Sequence, residues 1–331
     1  CVKRSRPEAL VTVLVLGATG FVGRALVPAL LAEGVSVRAA SRSERRGGPA
    51  GVEWVQCDVR APATLQRAME GVDCVYYLVH SMGEASRRDF RRVERQSATN
   101  VARVAAASRC RRVVYLGGVE PYGRPSEHLA SRLEVGSILR AGAVPTIELR
   151  SAMILGNGSA SWRILRDLAL RLPLMLLPRW LESESCPIAL EDVVTALVDA
   201  RRVPLDRSRW FDIPGPEVFK ARDLLMLVGS LRGRHIPALR VPFLAPRLSA
   251  GWLKLVSGAD YNVARELVLG LRGHLLPHDD LYWGLTGHPP RLSVREAARR
   301  ALETEAPMEG VGGWVAAKEE RLVATLGHHE P

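Results

Sequence analysis

The stretch Val13-Leu-Val-Leu-Gly17-Ala-Thr-Gly20-Phe-Val-Gly23-Arg-Ala-Leu decides how this chain is read. Its apolar start reads as a buried strand, and the glycines that follow recur every third residue. Beyond them the pattern turns helical. Small residues at that spacing meet three demands: a tight turn, close approach of backbone to a pyrophosphate, and close packing of helix on strand. The helix start adds unpaired N–H groups and the positive end of a dipole. Gly17, Thr19, Gly20, Phe21, Val22 and Gly23 are therefore candidates for a phosphate cradle.

Working outward, apolar runs recur at Val11–Leu16, Val35–Ala39, Val52–Cys57, Val75–Val79, Val113–Leu116 and Thr146–Leu149. Runs without polar alternation suit strands buried on both faces of a parallel sheet. Helical stretches separate them at Gly20–Glu33, Ala63–Met69, Glu84–Ser108 and Ser126–Arg140. This alternation predicts an α/β fold with a doubly wound parallel sheet. The texture changes after Gly158, where Ser161–Leu181 is rich in Leu, Trp and Arg and carries Pro173 and Pro178. A helix is expected at Glu191–Ala200 and another through Asp223–Leu231, after the turn Pro214-Gly-Pro216. The expected division is a core over 8–158 that returns around 186–230. A smaller C-terminal substrate lobe and tail then take 159–185 and 231–331.

Composition narrows the class. With 331 residues, 47% of them hydrophobic, the chain can bury a large core, which excludes disorder. The net charge is +11, and Lys3, Lys220, Lys254 and Lys318 are the only lysines, so the positive charge is nearly all arginine. The arginines are scattered and aromatics are only 5%, so nucleic acid is not the expected partner. Cys1, Cys57, Cys74, Cys110 and Cys186 show neither zinc nor redox spacing. No run reaches the ~18 apolar residues of a membrane span. A reducing, cytoplasmic setting is expected, with a small molecule as partner.

The second strand ends Arg38-Ala-Ala-Ser41-Arg42, with no acidic residue where NAD-specific sites place one for the ribose. Arg38, Ser41 and Arg42 instead suit a 2′-phosphate, which guanidinium binds bidentately. NADP(H) is therefore the expected cofactor, with NAD(H) as the alternative. Asp58 and Val59, closing the third strand, are placed to reach the adenine edge; Asp58 could equally cap the next helix.

With these residues in hand, the chain resembles the short-chain dehydrogenase/reductase superfamily, and within it the atypical, NmrA-like branch. The resemblance rests on Gly-Ala-Thr-Gly-Phe-Val-Gly at 17–23 and on Tyr76-Tyr-Leu-Val-His80-Ser-Met82, similar to a fourth strand and cofactor-facing loop. Leu149-Arg-Ser-Ala-Met-Ile-Leu-Gly156 is similar to the sixth strand and the loop beside the nicotinamide. Pro187–Val194 and Phe211–Glu217 resemble later segments of extended members. It implies a Rossmann fold, and cofactor contacts from Leu78, Val79, His80, Gly117 and Arg132.

The catalytic signature departs from the superfamily. Active members use a serine and then Tyr-x-x-x-Lys. Here the fifth strand ends Tyr115-Leu-Gly117-Gly118, and the following helix reads His128-Leu-Ala-Ser-Arg132. Arg132 can hold a ribose, but the tyrosine acid is replaced by His128. A reduction needs a proton donor within reach of the developing anion. His128, Tyr122 and His80 are the candidates, each with a plain structural alternative as helix start, loop packing or strand-end hydrogen bonder. No Ser–His–Asp order, metal cluster or HExxH run offers other chemistry.

Two surface features complete the reading. Arg87, Arg88, Arg91, Arg92 and Arg95 share one helix face, with only Glu84, Asp89 and Glu94 as nearby acids. A solvated face is expected, with an anionic partner such as a phosphorylated substrate as the alternative. A monomer, or a dimer made elsewhere, is expected rather than a dimer through that face. Trp162–Leu181 is read as the apolar lid of a substrate pocket, with a membrane-surface segment as the alternative. The expected function is an NADPH-dependent oxidoreductase on a small, largely apolar molecule. A cofactor-binding sensor or scaffold without turnover, and a non-redox use of the fold, stand as alternatives.

Overall fold

The computed structural model describes residues 11–45, 47–80, 87–171, 175–234, 238–241 and 273–305. Its centre is a seven-stranded sheet built from β1 (Thr12–Leu16), β2 (Ser36–Ser41), β3 (Val52–Gln56), β4 (Cys74–Tyr77), β5 (Arg112–Gly118), β6 (Thr146–Ser151) and an edge strand at Arg209–Asp212. The order across the sheet is β3-β2-β1-β4-β5-β6 and then the edge strand, and every pairing is parallel. The order reverses between β1 and β4, and that switch point leaves a crevice at the carboxyl ends of the strands. This is a Rossmann-type α/β fold.

Successive residues of a strand face opposite sides, and β1 shows the consequence. Val13 and Val15 pack with Leu26, Leu30, Val193 and Leu197 on one face of the sheet. Leu14 and Leu16 pack with Leu65, Ala98, Val101 and Leu139 on the other. The helices concerned are α1 (Phe21–Ala32), α2 (Pro62–Ala68), α3 (Arg87–Ala106), α4 (Glu127–Arg140) and, later in the chain, α6 (Leu190–Ala200). Ser126 caps α4 by accepting from the Leu129 N–H, so that helix starts one residue inside its expected range.

One buried charge cluster ties α4 to the sheet. The carboxylate of Glu148, fully buried, accepts from Arg140 at 2.8 Å and from Arg150 at 3.0 Å. Gly136, inside α4, makes room for it: a Cβ there would lie 2.4 Å from both carboxylate oxygens. Glycine inside a helix costs roughly 0.5–1 kcal/mol. Removing one partner of a buried ion pair costs more, about 3–5 kcal/mol. The close approach therefore decides the residue.

A third apolar cluster lies apart from the sheet. It joins α5 (Ala160–Arg171), α7 (Ala221–Ser230) and a late helix at Val294–Glu303. This corrects the lid reading for the described part of that segment. Trp162 and Ile164 are essentially fully buried and Leu165 and Leu168 nearly so, packed against Leu224, Val228 and Ala298. Periodicity showed that this stretch has an apolar face. It could not show that two helices distant in sequence already cover it. The side chains at 172–180, the rest of the expected lid, lie outside the described residues.

The arginine face of α3 also has a partner that sequence proximity hid. Arg95 pairs with Glu134 of α4 at 2.5 Å, and Arg91 reaches the same carboxylate at 3.4 Å. The acid comes from the neighbouring helix, not from the helix itself. The side chains of Arg87 and Arg88 lie outside the described residues.

Candidate functional site

The crevice at the switch point holds a cavity of about 470 Å³. One wall is the glycine loop between β1 and α1, and its three glycines answer different demands. Gly17 has φ +88°, and a Cβ there would come within 2.8 Å of the Leu78 backbone. At Gly23 a Cβ would fall 2.2 Å from the Gly17 carbonyl oxygen, so helix and loop touch there. Gly20 has ordinary extended backbone, lines the cavity, and closes the turn by donating its N–H to the Gly17 oxygen at 2.9 Å. Gly17 and Gly23 thus serve the turn and the packing, while Gly20 keeps the cavity open.

Thr19, Phe21 and Val22 line the cavity beside these glycines. Ser41 and Arg42 line its far end, at the carboxyl end of β2, followed by Asp58, Val59 and Arg60 after β3. The Arg60 guanidinium clasps the Asp58 carboxylate at 2.8 and 3.1 Å and holds it below its ordinary pKa. Asp58 is not the cap of α2, a place taken by Ala61.

Arg38 is a correction. Its guanidinium pairs with Glu53 at 3.0 Å and donates to the carbonyls of Ala68 and Glu70 at 2.9 and 2.7 Å. It ties β2 to β3 and to the end of α2, and it does not line the cavity. Arg38 and Arg42 look alike in sequence, but their four-residue separation spans the middle and the end of a strand. Only the end reaches the crevice.

The opposite end of the cavity is formed by Leu78, Val79 and His80 after β4, Tyr115 and Leu116 of β5, Arg132 of α4, and Ala152, Met153 and Ile154 after β6. Arg132 donates to the Leu116 carbonyl at 2.9 Å, and the Tyr115 hydroxyl donates to the Arg132 carbonyl at 3.0 Å. Those two bonds fix the guanidinium at the cavity wall. Behind it the rings of His80 and His128 meet, with their Nε2 atoms 3.2 Å apart. Burial is the main force that pushes both imidazoles below their ordinary pKa. His128 goes down to about 2, with the His80 ring and the Arg132 charge adding to the effect. For His80 the neighbouring Glu94 opposes the shift.

Two further candidates fall elsewhere. Gly117 faces Glu148 rather than the cavity: a Cβ there would lie 2.8 Å from the Glu148 carboxylate. Tyr122 is 55% exposed, stacks on His278 with centroids 5.0 Å apart, and does not line the cavity. Sequence reasoning passed over Ser97 and Arg60, which line the cavity, and Glu94, which stands behind it. Ser97 and Glu94 are polar residues on the side of α3 that buries Ala98, Val101 and Ala105. That interruption of an apolar face was the available signal.

The lining at the glycine loop suits a dinucleotide. Gly20 carries no side chain where the wall must stay open. Ser97, 2% exposed, contributes to the lining, and its buried hydroxyl has no hydrogen-bond partner among the described residues.

Comparison with known proteins agrees with this geometry. The pattern of the NAD dependent epimerase/dehydratase family matches residues 13–139, which carry β1 to β5, the glycine loop and α4. No curated protein matches the chain in sequence. The structure of gox2253 is similar, with a TM-score of 0.69 and 20% identity, covering 88% of this chain and 97% of that one. So is UDP-glucose 4-epimerase from Thermotoga maritima with UDP-glucose, with a TM-score of 0.66 and 12% identity over 88% of this chain and 97% of that one. The third is UDP-glucuronic acid 4-epimerase from Bacillus cereus in complex with NAD, with a TM-score of 0.67 and 12% identity over 88% and 95%. At these identities the likeness is one of fold. Among the described residues, no helix is long and apolar enough to cross a membrane.

Proposed function

We propose that this chain is an NADP(H)-dependent oxidoreductase of the atypical, NmrA-like short-chain type, acting on a small, largely apolar molecule. One observation carries the reading: a single cavity runs from the glycine loop and Arg42 at one end to His80 and Arg132 at the other. Gly20 and the N–H groups at the start of α1 would hold the pyrophosphate. Ser41 and Arg42 would hold the 2′-phosphate, and Arg132 the ribose nearer the reacting end. Bound NADPH would supply the hydride. Ala152, Met153 and Ile154 offer an apolar wall for the substrate, and the His80–His128 pair stands ready as proton donor or acceptor. The buried free thiols of Cys57, Cys74, Cys110 and Cys186 suit a reducing, cytoplasmic compartment. Pairing of Arg91 and Arg95 with Glu134 inside the chain supports a monomer.

A second reading, a cofactor-binding sensor without turnover, is favoured by Gly117. The nearness of Glu148 leaves no room there for the serine that the superfamily uses. One experiment separates the two. The purified protein is titrated with NADPH and NADH, then assayed for NADPH consumption with carbonyls, imines and activated alkenes. UDP-glucose and UDP-glucuronic acid are included because similar structures hold them. The proposal expects tighter binding of NADPH and stoichiometric consumption with one of the apolar substrates. Equal binding curves would remove the NADP(H) preference. Binding without consumption would establish the sensor.

A further inference from the structure

Behind the cavity wall at His80 stand three titratable groups in a row. His80 Nε2 and His128 Nε2 are 3.2 Å apart, their ring centroids 4.5 Å apart, and the Phe90 ring packs on both. On the far side of His80, its Nδ1 faces the Glu94 carboxylate at 3.9 Å. Glu94 sits on α3, and its side chain is only 3% exposed. Two imidazole nitrogens in hydrogen-bond contact share one proton, so one ring must donate and the other accept. The geometry at Nε2 is symmetric and leaves that choice open.

We propose that Glu94 is a positioning residue that makes the choice: it holds the proton of His80 on Nδ1, so that His80 Nε2 accepts from His128 Nε2–H. His128 Nδ1, which forms no hydrogen bond among the described residues, is then the bare nitrogen of the neutral pair. A proton taken up by the pair comes to reside on His80, between His128 and Glu94. One proton enters and the same number leaves, so the step needs no oxidant or co-reactant. This deepens the oxidoreductase reading and rests on it, because that reading supplies the reaction in which such a pair would act.

The charges around the pair favour this arrangement. Arg132, from α4, disfavours a second positive charge on either ring. Glu94, from α3, is the carboxylate that counters it, and it acts on His80. From the sheet, the Tyr77 and Tyr115 hydroxyls are neutral, held well above their ordinary pKa chiefly by burial and further by Glu94. Among the described residues, no carboxylate acts on His128 as Glu94 acts on His80. A carboxylate that fixes the tautomer of an imidazole is a recurring device wherever histidine handles protons.

The test reads imidazole tautomers directly, by heteronuclear NMR of the histidine side chains in the full chain across pH. The wild type is compared with Glu94→Gln, Glu94→Leu and Glu94→Asp. In the wild type, His80 is expected as the Nδ1–H tautomer and takes up a proton before His128. Glu94→Gln, which keeps the shape and removes the charge, should lower the proton affinity of His80 by about tenfold, one pH unit. Glu94→Leu should abolish the tautomer preference, and Glu94→Asp should restore part of it. NADPH affinity should stay within about twofold in all three, because Glu94 lies behind the wall rather than on the cavity. An Nε2–H tautomer for His80 in the wild type would overturn the proposal whatever the variants do. So would an unmoved His80 titration in Glu94→Gln. No turnover is needed for these readings, so a protein that never consumes NADPH would refute the oxidoreductase reading without touching this one.

Discussion

Both ends of the cavity hold an arginine and a titratable group, yet they answer to different physics. At the Gly17–Gly23 end, backbone shape dominates. A left-handed residue and two close approaches, one of them to the distant Leu78 backbone, leave little choice of side chain, and the residues so constrained lie in a short window of sequence. At the His80–Arg132 end, side chains from β4, β5, α3 and α4 meet across gaps of tens of residues. Shape is local and therefore legible. Charge placement is distant and has to be seen.

The largest effect should come from Gly20→Val. The backbone there is one that any residue can adopt. A Cβ would sit 3.2 Å from the Gly17 carbonyl oxygen, a contact that a shift of a few tenths of an ångström relieves. The fold should therefore survive while the branch fills space at the cavity. On the proposed reading, dinucleotide binding should fall by more than about a hundredfold, roughly 3 kcal/mol or more. Fluorescence titration alongside circular dichroism checks both parts. Normal binding by this variant would make the loop a turn and nothing else.

Next comes His128→Phe, at the other end. Loss of a general acid typically costs about 10²–10⁴ in rate. The turnover number should fall by that order while NADPH affinity stays put, and Tyr122→Phe should be near neutral. A turnover loss in Tyr122→Phe instead would move the acid to the exposed loop and undo the contrast between the ends.

The arginine pair sharpens the comparison within one strand. Arg42→Ala should weaken NADPH by roughly tenfold to a hundredfold, the value of one charge-assisted contact, and leave NADH unchanged. Arg38→Ala should leave cofactor selectivity alone and lower the melting temperature, because the Ala68 and Glu70 carbonyls lose their donor. If the two variants exchanged phenotypes, the strand-end argument would fail.

The smallest effect is one of pH. Both imidazoles are depressed in the folded chain, His128 to about 2. Below the ordinary histidine value, near 6.5, the unfolded chain takes up protons that the folded chain refuses. Stability is therefore fully present above that value and declines as pH falls toward the folded one. The contribution lost between about pH 6.5 and 5 should be on the order of 1–2 kcal/mol. Thermal melts across that range should show a shallower slope for His128→Phe than for the wild type. Equal slopes would mean that His128 is not held neutral by its surroundings.

Much of this molecule could be read in advance, for a reason visible in particular residues. Val13–Leu16, the glycines after them and the apolar runs that follow are contiguous, and each strand's place depends mainly on its own pattern. The switch point follows from strand–helix alternation, and with it the crevice. Residues at strand ends, such as Ser41, Arg42 and His80, then fall beside it without any knowledge of packing. The family likeness over residues 13–139 lies in this part of the chain.

Tertiary structure decided the rest, wherever a side chain had more than one way to be satisfied. Arg38 could reach a phosphate or the end of α2, and only the position of α2 settles it. The apolar face of α5 could meet a substrate, a membrane or two other helices, and periodicity is blind to which. Glu94 looks in sequence like one acid among surface arginines. It becomes the buried end of a row of titratable groups because α3 turns it toward His80. Local pattern determined the elements and the cradle, since those follow from backbone geometry and burial. Which charges meet, and which faces are already covered, depends on contacts between distant residues, and those exist only once the chain has folded.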